Sequence, residues 1–219
     1  MSEFFNPDNS IMRFITKIAN SVYLNILWLV CSLPVVTIGA STTSLFYVTL
    51  KMAKNEEGNI TAAFFRSFRD NFKQATKIWL ILLAAGIVFA LDGYVFYHMR
   101  FENMLWTIGT SIFLVALAAY AIILMYIFPL LARFDNTTFA MFKNSLFIGM
   151  RFFLCTVLMA VIYFVMLFVV INIFTPAVIF GEGLCALLCS CLLSNILLMC
   201  QKQDEKTDTQ KAAADLPHL

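Results

Sequence analysis

Few side chains in this sequence could do chemistry. Asp92, Asn172, Glu182 and Asn195 are the main polar groups inside otherwise apolar runs, and Tyr94 and Tyr97 stand near Asp92. Ionisable groups at membrane depth are candidates for binding or relaying a solute. Two features argue for a plainer reading. Asp92 stands five residues from the end of its run, and Glu182 sits between Gly181 and Gly183, so either carboxylate could instead reach interfacial water. The six cysteines, Cys31, Cys155, Cys185, Cys189, Cys191 and Cys200, all lie in apolar runs. Cys185, Cys189 and Cys191 lack zinc-ligand spacing and have no histidine nearby, so they read as small packing residues. His98 and His218 stand alone, and neither a metal nor a cofactor is expected. There is no His-Glu metal spacing, no Gly-x-Ser-x-Gly elbow, no Walker loop and no carboxylate pair close in sequence. These absences point away from an enzyme, although helices can assemble distant groups.

A second group sits in "NILWLVCSLPVVTIGASTTSL", residues 25 to 45. This stretch is apolar enough for lipid, yet it carries Asn25, Pro34, Gly39 and a run of serines and threonines. Asn25, Trp28, Pro34, Thr37 and Gly39, together with Asp92 and Glu182, form the candidate binding set. The small residues would let a neighbouring helix approach closely, and the hydroxyls could satisfy carbonyls freed by a break at Pro34. One reading is a kinked helix with a tight packing face. The other is a broken helix lining a polar cavity.

The elements that must hold these residues follow from composition. Of 219 residues, 61% are hydrophobic and only 13% charged, with a mean hydropathy of +0.84. Soluble domains run near 45–50% apolar and about 25% charged. The natural solvent is lipid, and the expected location is a bacterial cell membrane, crossed several times. A net charge of +2 is too small to suggest a nucleic-acid partner. The start, "MSEFFNPDNS", lacks the basic n-region of a cleaved signal, so the first apolar segment should be retained.

Five runs are long enough to span: 22–50, 78–97, 104–131, 152–174 and 176–200. Helix is the expected form, because hydrocarbon offers no partner for a bare peptide group. The expected fold is therefore all-α: a polytopic membrane helix bundle of about five spans, with amphipathic helices at the cytoplasmic surface. Residues 1–200 make one membrane domain, and 201–219 form a charged tail expected to be disordered. Twelve of the fifteen basic residues fall between the first and second runs, between the third and fourth, or after the fifth. The positive-inside rule places those segments in the cytoplasm.

Within the first inner loop, Phe64, Phe65, Phe68, Phe72 and Ala75 fall within about 100° on a helix. Arg66, Arg69, Lys73 and Lys77 cover the other side. This pattern fits a helix lying at the membrane surface, aromatic side down, rather than one packed on the protein's own loops. Ile11, Phe14, Ile15 and Ile18 repeat it more weakly. "NITAAFFRSF" from Asn59 and "NTTFAMFKNS" from Asn136 match in several positions. An internal duplication would explain the match; so would chance over ten residues. The 22–50 run, roughly 43 Å as a helix, overshoots one crossing of about 30 Å. A single long kinked span with residue 1 outside is the expectation, because neither half reaches the roughly 17 residues of a full span; the alternative is a re-entrant turn at Pro34 to Ser41, which would put residue 1 inside.

Asn25, Trp28, Cys31, Leu33-Pro34 and Thr37-Ile38-Gly39-Ala40 resemble the signature of the YesL-like family of bacterial membrane proteins. "FRSFRDNFKQAT", residues 65–76, is similar to its first inner loop; "FPLLARFD", 128–135, and "FKNSL", 142–146, resemble its second. The resemblance runs from about residue 5 to 200. It implies a small multi-span protein of unassigned activity, often encoded beside carbohydrate uptake and breakdown genes. It carries no accepted catalytic residues. The expected partners are therefore the lipid bilayer and a carbohydrate transporter complex. The alternative is a small transporter or channel in its own right.

Overall fold

The computed structural model describes residues 10–56, 58–98, 104–172 and 178–214, and all regular structure in them is helical. Seven helices follow one another: α1 Ser10–Ser32, α2 Ile38–Ala53, α3 Ile60–His98, α4 Met104–Leu131, α5 Thr138–Arg151, α6 Phe153–Asn172 and α7 Val178–Ala214. Five stretches are long and apolar enough to cross a membrane: Met12–Ser32, Ile60–Phe96, Trp106–Leu131, Phe153–Asn172 and Gly181–Met199. Their outward surfaces carry exposed Leu, Val, Ile and Phe, such as Val115 and Phe164. In water such a surface would be an association site; in lipid it is ordinary.

The first expected span is corrected. Residues 22–50 do not form one kinked helix. Trp28 Nε1 donates to Thr42 Oγ1 at 3.1 Å, and the Ser32 and Ser41 hydroxyls lie 2.9 Å apart. On a continuous helix residues 28 and 42 would be about 21 Å apart. The chain therefore folds back at residues 33–37, and α1 and α2 form an antiparallel hairpin. The start of α1 and the end of α2 share one end of that hairpin, where the Tyr23 hydroxyl also meets Thr61 Oγ1 at 3.0 Å. The start of α1 at Ser10 therefore lies at the same end of the hairpin as the 54–59 loop, not at the opposite end that a single kinked span would give it.

The length objection fails because α2 does not have to face lipid. It is the central element, with eleven of its sixteen residues buried, packed among α1, α3, α4 and α7. Its hydroxyls explain how. Thr43 Oγ1 donates to Gly39 O, Ser44 Oγ to Ala40 O and Thr49 Oγ1 to Leu45 O, all within 3.0 Å. Each returns its donor to the carbonyl four residues back, so a Ser/Thr-rich helix can be buried among apolar neighbours. Small residues then bring the backbones together. A Cβ on Gly39 would stand 2.6 Å from both Ala75 O and Trp79 Cβ of α3.

Two further elements differ from expectation. The residue 61–77 stripe and the 78–97 span are one uninterrupted helix of 39 residues, roughly 58 Å long. Residues 201–214, expected to be disordered, continue α7; Lys, Gln, Glu and Ala in that stretch are good helix formers. α3 and α4 run antiparallel along most of α4. Phe96 meets Trp106 at 4.9 Å, Phe89 meets Phe113 at 6.0 Å, Tyr120 Oη donates to Leu82 O at 2.9 Å, and Trp79 meets Phe128 at 6.3 Å.

Candidate functional site

The turn at 33–37 gathers three of the candidate residues. Pro34 removes a backbone donor and ends α1. Thr37 then caps the break from below: its Oγ1 lies 2.6 Å from Cys31 O and 2.7 Å from Pro34 O, and its N–H donates to Pro34 O at 2.9 Å. Trp79 Nε1 of α3 donates to Val35 O at 2.8 Å. Gly39 lies directly under Trp79. Carbonyls that a break exposes are thus returned to partners inside the protein, as an apolar surrounding requires. Leu33, Val35 and Val36 project outward from the turn, at 81%, 55% and 48% exposure.

Asn25 belongs to a second contact. Its Oδ1 accepts the Gly183 N–H of α7 at 2.8 Å, and Asn25 is fully buried. Gly183 is needed there, because an added Cβ would collide with Ser21 O of α1 and stand 3.0 Å from Asn25 Cβ. The Ser21 hydroxyl is buried with no hydrogen-bond partner. Glu182, half-buried, lies in electrostatic reach of Tyr163, Cys185 and Cys189. A further buried hydroxyl pair, Thr49 and Ser190 at 2.8 Å, ties α2 to α7. Asn25 is therefore brought to an α1–α7 seam at Gly183, one residue on from Glu182, whose carboxylate interacts with Tyr163 of α6.

Other candidates stay apart. Asp92 is exposed near the far end of α3, and two residues on the Tyr94 ring lies 4.1 Å from that of His98, tilted by 32°. The side chain of Tyr97 lies outside the described residues, as do His218 and the side chain of Cys200. Asn172 returns its amide to Phe168 O at 3.2 Å. The aromatic stripe of α3 divides. Phe64 is fully buried, and Phe68 packs against the same core. Phe65 and Phe72 remain 47% and 37% exposed, on the side of the cations Arg66, Arg69 and Lys73. Cys185 and Cys189 are buried, and among the described residues no group of three His, Cys, Asp or Glu could hold a metal ion.

A concavity lies between α3 and the α4–α5 turn. A groove of about 740 Å³ is lined by Lys73, Gln74 and Lys77 of α3 and by Asp135, Asn136, Thr137 and Thr138 at the α4–α5 turn. Gln74 Nε2 donates to Asn136 O at 2.6 Å and joins its walls. Thr137 caps α5 by accepting the Ala140 N–H, and Asn59 caps α3 by accepting the Ala62 N–H. The two loops that look alike thus both open a helix with a polar N-cap. Burial lowers the pKa of Lys54, between α2 and α3; the nearby Arg133 charge adds to this, and Glu56 opposes it. Sequence reasoning missed the groove and missed α5 as a separate helix. The signal was present: Met141, Ser145 and Ile148, all buried, recur at helical spacing after a Thr N-cap.

A family model described as "Protein of unknown function, DUF624" matches residues 21–93, which hold the second half of α1, the turn, α2 and most of α3. The chain is also 28% identical over 156 residues to "Uncharacterized protein YesL" of Bacillus subtilis (strain 168), covering 69% of this chain and 72% of that protein. The chain is YesL-like. No solved structure matches it. The matched region of this YesL-like chain begins at Ser21, so it contains both Asn25 at the α1–α7 seam and Trp79 above the turn.

Proposed function

We propose that this chain is a multi-pass protein of a bacterial cell membrane that works by assembly rather than catalysis, as an accessory or regulator of carbohydrate uptake. The carbohydrate setting rests on the YesL-like resemblance. The groove between α3 and the α4–α5 turn carries the assembly reading. It is open, polar and bordered by Lys73 and Lys77, and so suits a short polar or acidic segment of a partner. In this orientation α1 and α2 form a hairpin whose open end joins the two inner loops. Fourteen of fifteen basic residues then lie in the cytoplasm, against one outside. Affinity purification in mild detergent from cells growing on plant polysaccharides tests the reading. A transport component should be recovered with the native chain and lost with Lys73→Glu/Lys77→Glu. Recovery of no transport component would overturn it.

A second reading, a small transporter, is favoured by the α1–α7 seam. A buried hydroxyl at Ser21 and a half-buried carboxylate at Glu182 occupy helices long enough to span. Reconstituted vesicles should then show solute flux that Glu182→Gln abolishes; equal flux through protein-free vesicles would exclude it.

A further inference from the structure

A second concavity opens at the α5–α6 elbow. It measures about 470 Å³ between the first turns of α6 and the middle of α7, with Leu154, Cys155 and Leu158 on one wall and Leu192 and Ile196 on the other. This volume falls within the range of ligand-sized clefts, about 300–1,000 Å³. Its walls are apolar and its mouth is not. Arg151, exposed, stands at the entrance, where α5 ends and the span Phe153–Asn172 begins.

The elbow that makes the cleft is held rigidly. Phe152 leaves helical geometry at φ −107° and ψ 50°. Thr156 Oγ1 donates to Gly149 O at 2.7 Å and shares a 2.9 Å hydrogen bond with the Tyr126 hydroxyl. Gly149 lies against Ile122 and Tyr126 of α4. The cation is therefore fixed one residue before the apolar span rather than carried on a mobile loop. Phe153 and Leu154, at 67% and 75% exposure, continue the cleft's rim onto the outward apolar surface. A cation at the start of a span stands at head-group level, and an apolar cleft opening sideways below it faces acyl chains.

We propose that this elbow is a binding site for one anionic phospholipid of the inner leaflet. The phosphate pairs with Arg151, and one acyl chain fills the slot between Leu158 and Leu192. A free anion would have no use for the apolar slot, and a neutral lipid none for the cation.

Native mass spectrometry of the purified full-length chain in neutral detergent tests this, with phosphatidylglycerol and phosphatidylcholine of the same acyl chains as probes. The native chain should retain phosphatidylglycerol over phosphatidylcholine. Arg151→Gln should remove roughly fivefold of that preference, the worth of about one cation at a membrane surface, and Arg151→Lys should restore most of it. Leu158→Trp should fill the slot and lower retention of both lipids. Leu154→Trp, on the exposed rim, serves the same purpose if Leu158→Trp folds poorly. Excess inorganic phosphate should displace nothing. Equal phosphatidylglycerol retention by the native chain and Arg151→Gln overturns the proposal. So does unchanged retention in a folded slot variant, or displacement by phosphate.

Discussion

Gly183 shows how a single missing side chain sets a helix contact. The Ser21 carbonyl occupies the space where its Cβ would stand, and backbone cannot rotate away. Gly183→Val should therefore push α7 off α1, at a cost of about 1–3 kcal/mol. For a chain of this size that lowers the melting midpoint by roughly 2–10 °C. Asn25→Ala should cost a similar amount, about 1–3 kcal/mol, because it leaves the buried Gly183 N–H without its acceptor. Gly58→Ala is the control: nothing lies within 4 Å of the added Cβ, its φ is not positive, and the midpoint should stay within about 0.5 kcal/mol of native. Thermal unfolding in detergent, followed by fluorescence or light scattering, reads all three. A Gly183→Val variant as stable as Gly58→Ala would show that α1 and α7 do not touch there.

At the scale of elements, the α1–α2 hairpin is the feature with most consequence. It turns a segment that looks too long for one crossing into a helix and a short buried partner. Ser32→Cys/Ser41→Cys, in a background without native cysteines, provides the test. The two hydroxyls lie 2.9 Å apart across the turn, a separation that suits the short Cβ–Cβ distance of a disulfide, about 3.5–4.5 Å. Mild oxidation should close the pair and abolish labelling by a maleimide at both positions, with a peptide mass lower by two hydrogens. Nine residues of continuous helix would hold the same pair about 13 Å apart. Persistent labelling of both thiols after oxidation would restore the kinked span.

At the scale of the whole molecule, the hairpin decides which ends share a side. α1, α2, α3, α4, α6 and α7 alternate in direction, so the start of α1, the 54–59 and 132–137 loops and the end of α7 lie together. A protease-sensitive tag ahead of Ser2 should be protected in intact cells and cut in inverted vesicles. Cysteines introduced at Lys54 and Lys143 should resist an impermeant thiol reagent in the same intact cells. Tag removal from outside, with Lys54 still protected, would mean that α1 and α2 do not lie antiparallel.

Much of this was legible in the chain itself. A mean hydropathy of +0.84 and apolar runs with few charges force helices in lipid, because each peptide group must be satisfied within its own segment. Two of the expected runs, 78–97 and 104–131, accordingly lie within α3 and α4, and the runs from 152 and 176 overlap α6 and α7. The break at Pro34 was legible too, since proline removes a donor wherever it stands. The angle of that break was not. A proline permits either a kink or a reversal, and what selects reversal here lies elsewhere in the chain: Trp79 holding the Val35 carbonyl and the Ala75 backbone packed against Gly39 where no side chain intervenes. Likewise the Phe64–Phe72 stripe announced an amphipathic helix, but its period could not say whether the apolar side met lipid or α2. Tertiary packing divided it, burying Phe64 and leaving Phe65 outside. Local chemistry fixes where a helix begins, ends and turns its apolar side; only contacts between residues far apart in sequence decide what that side meets.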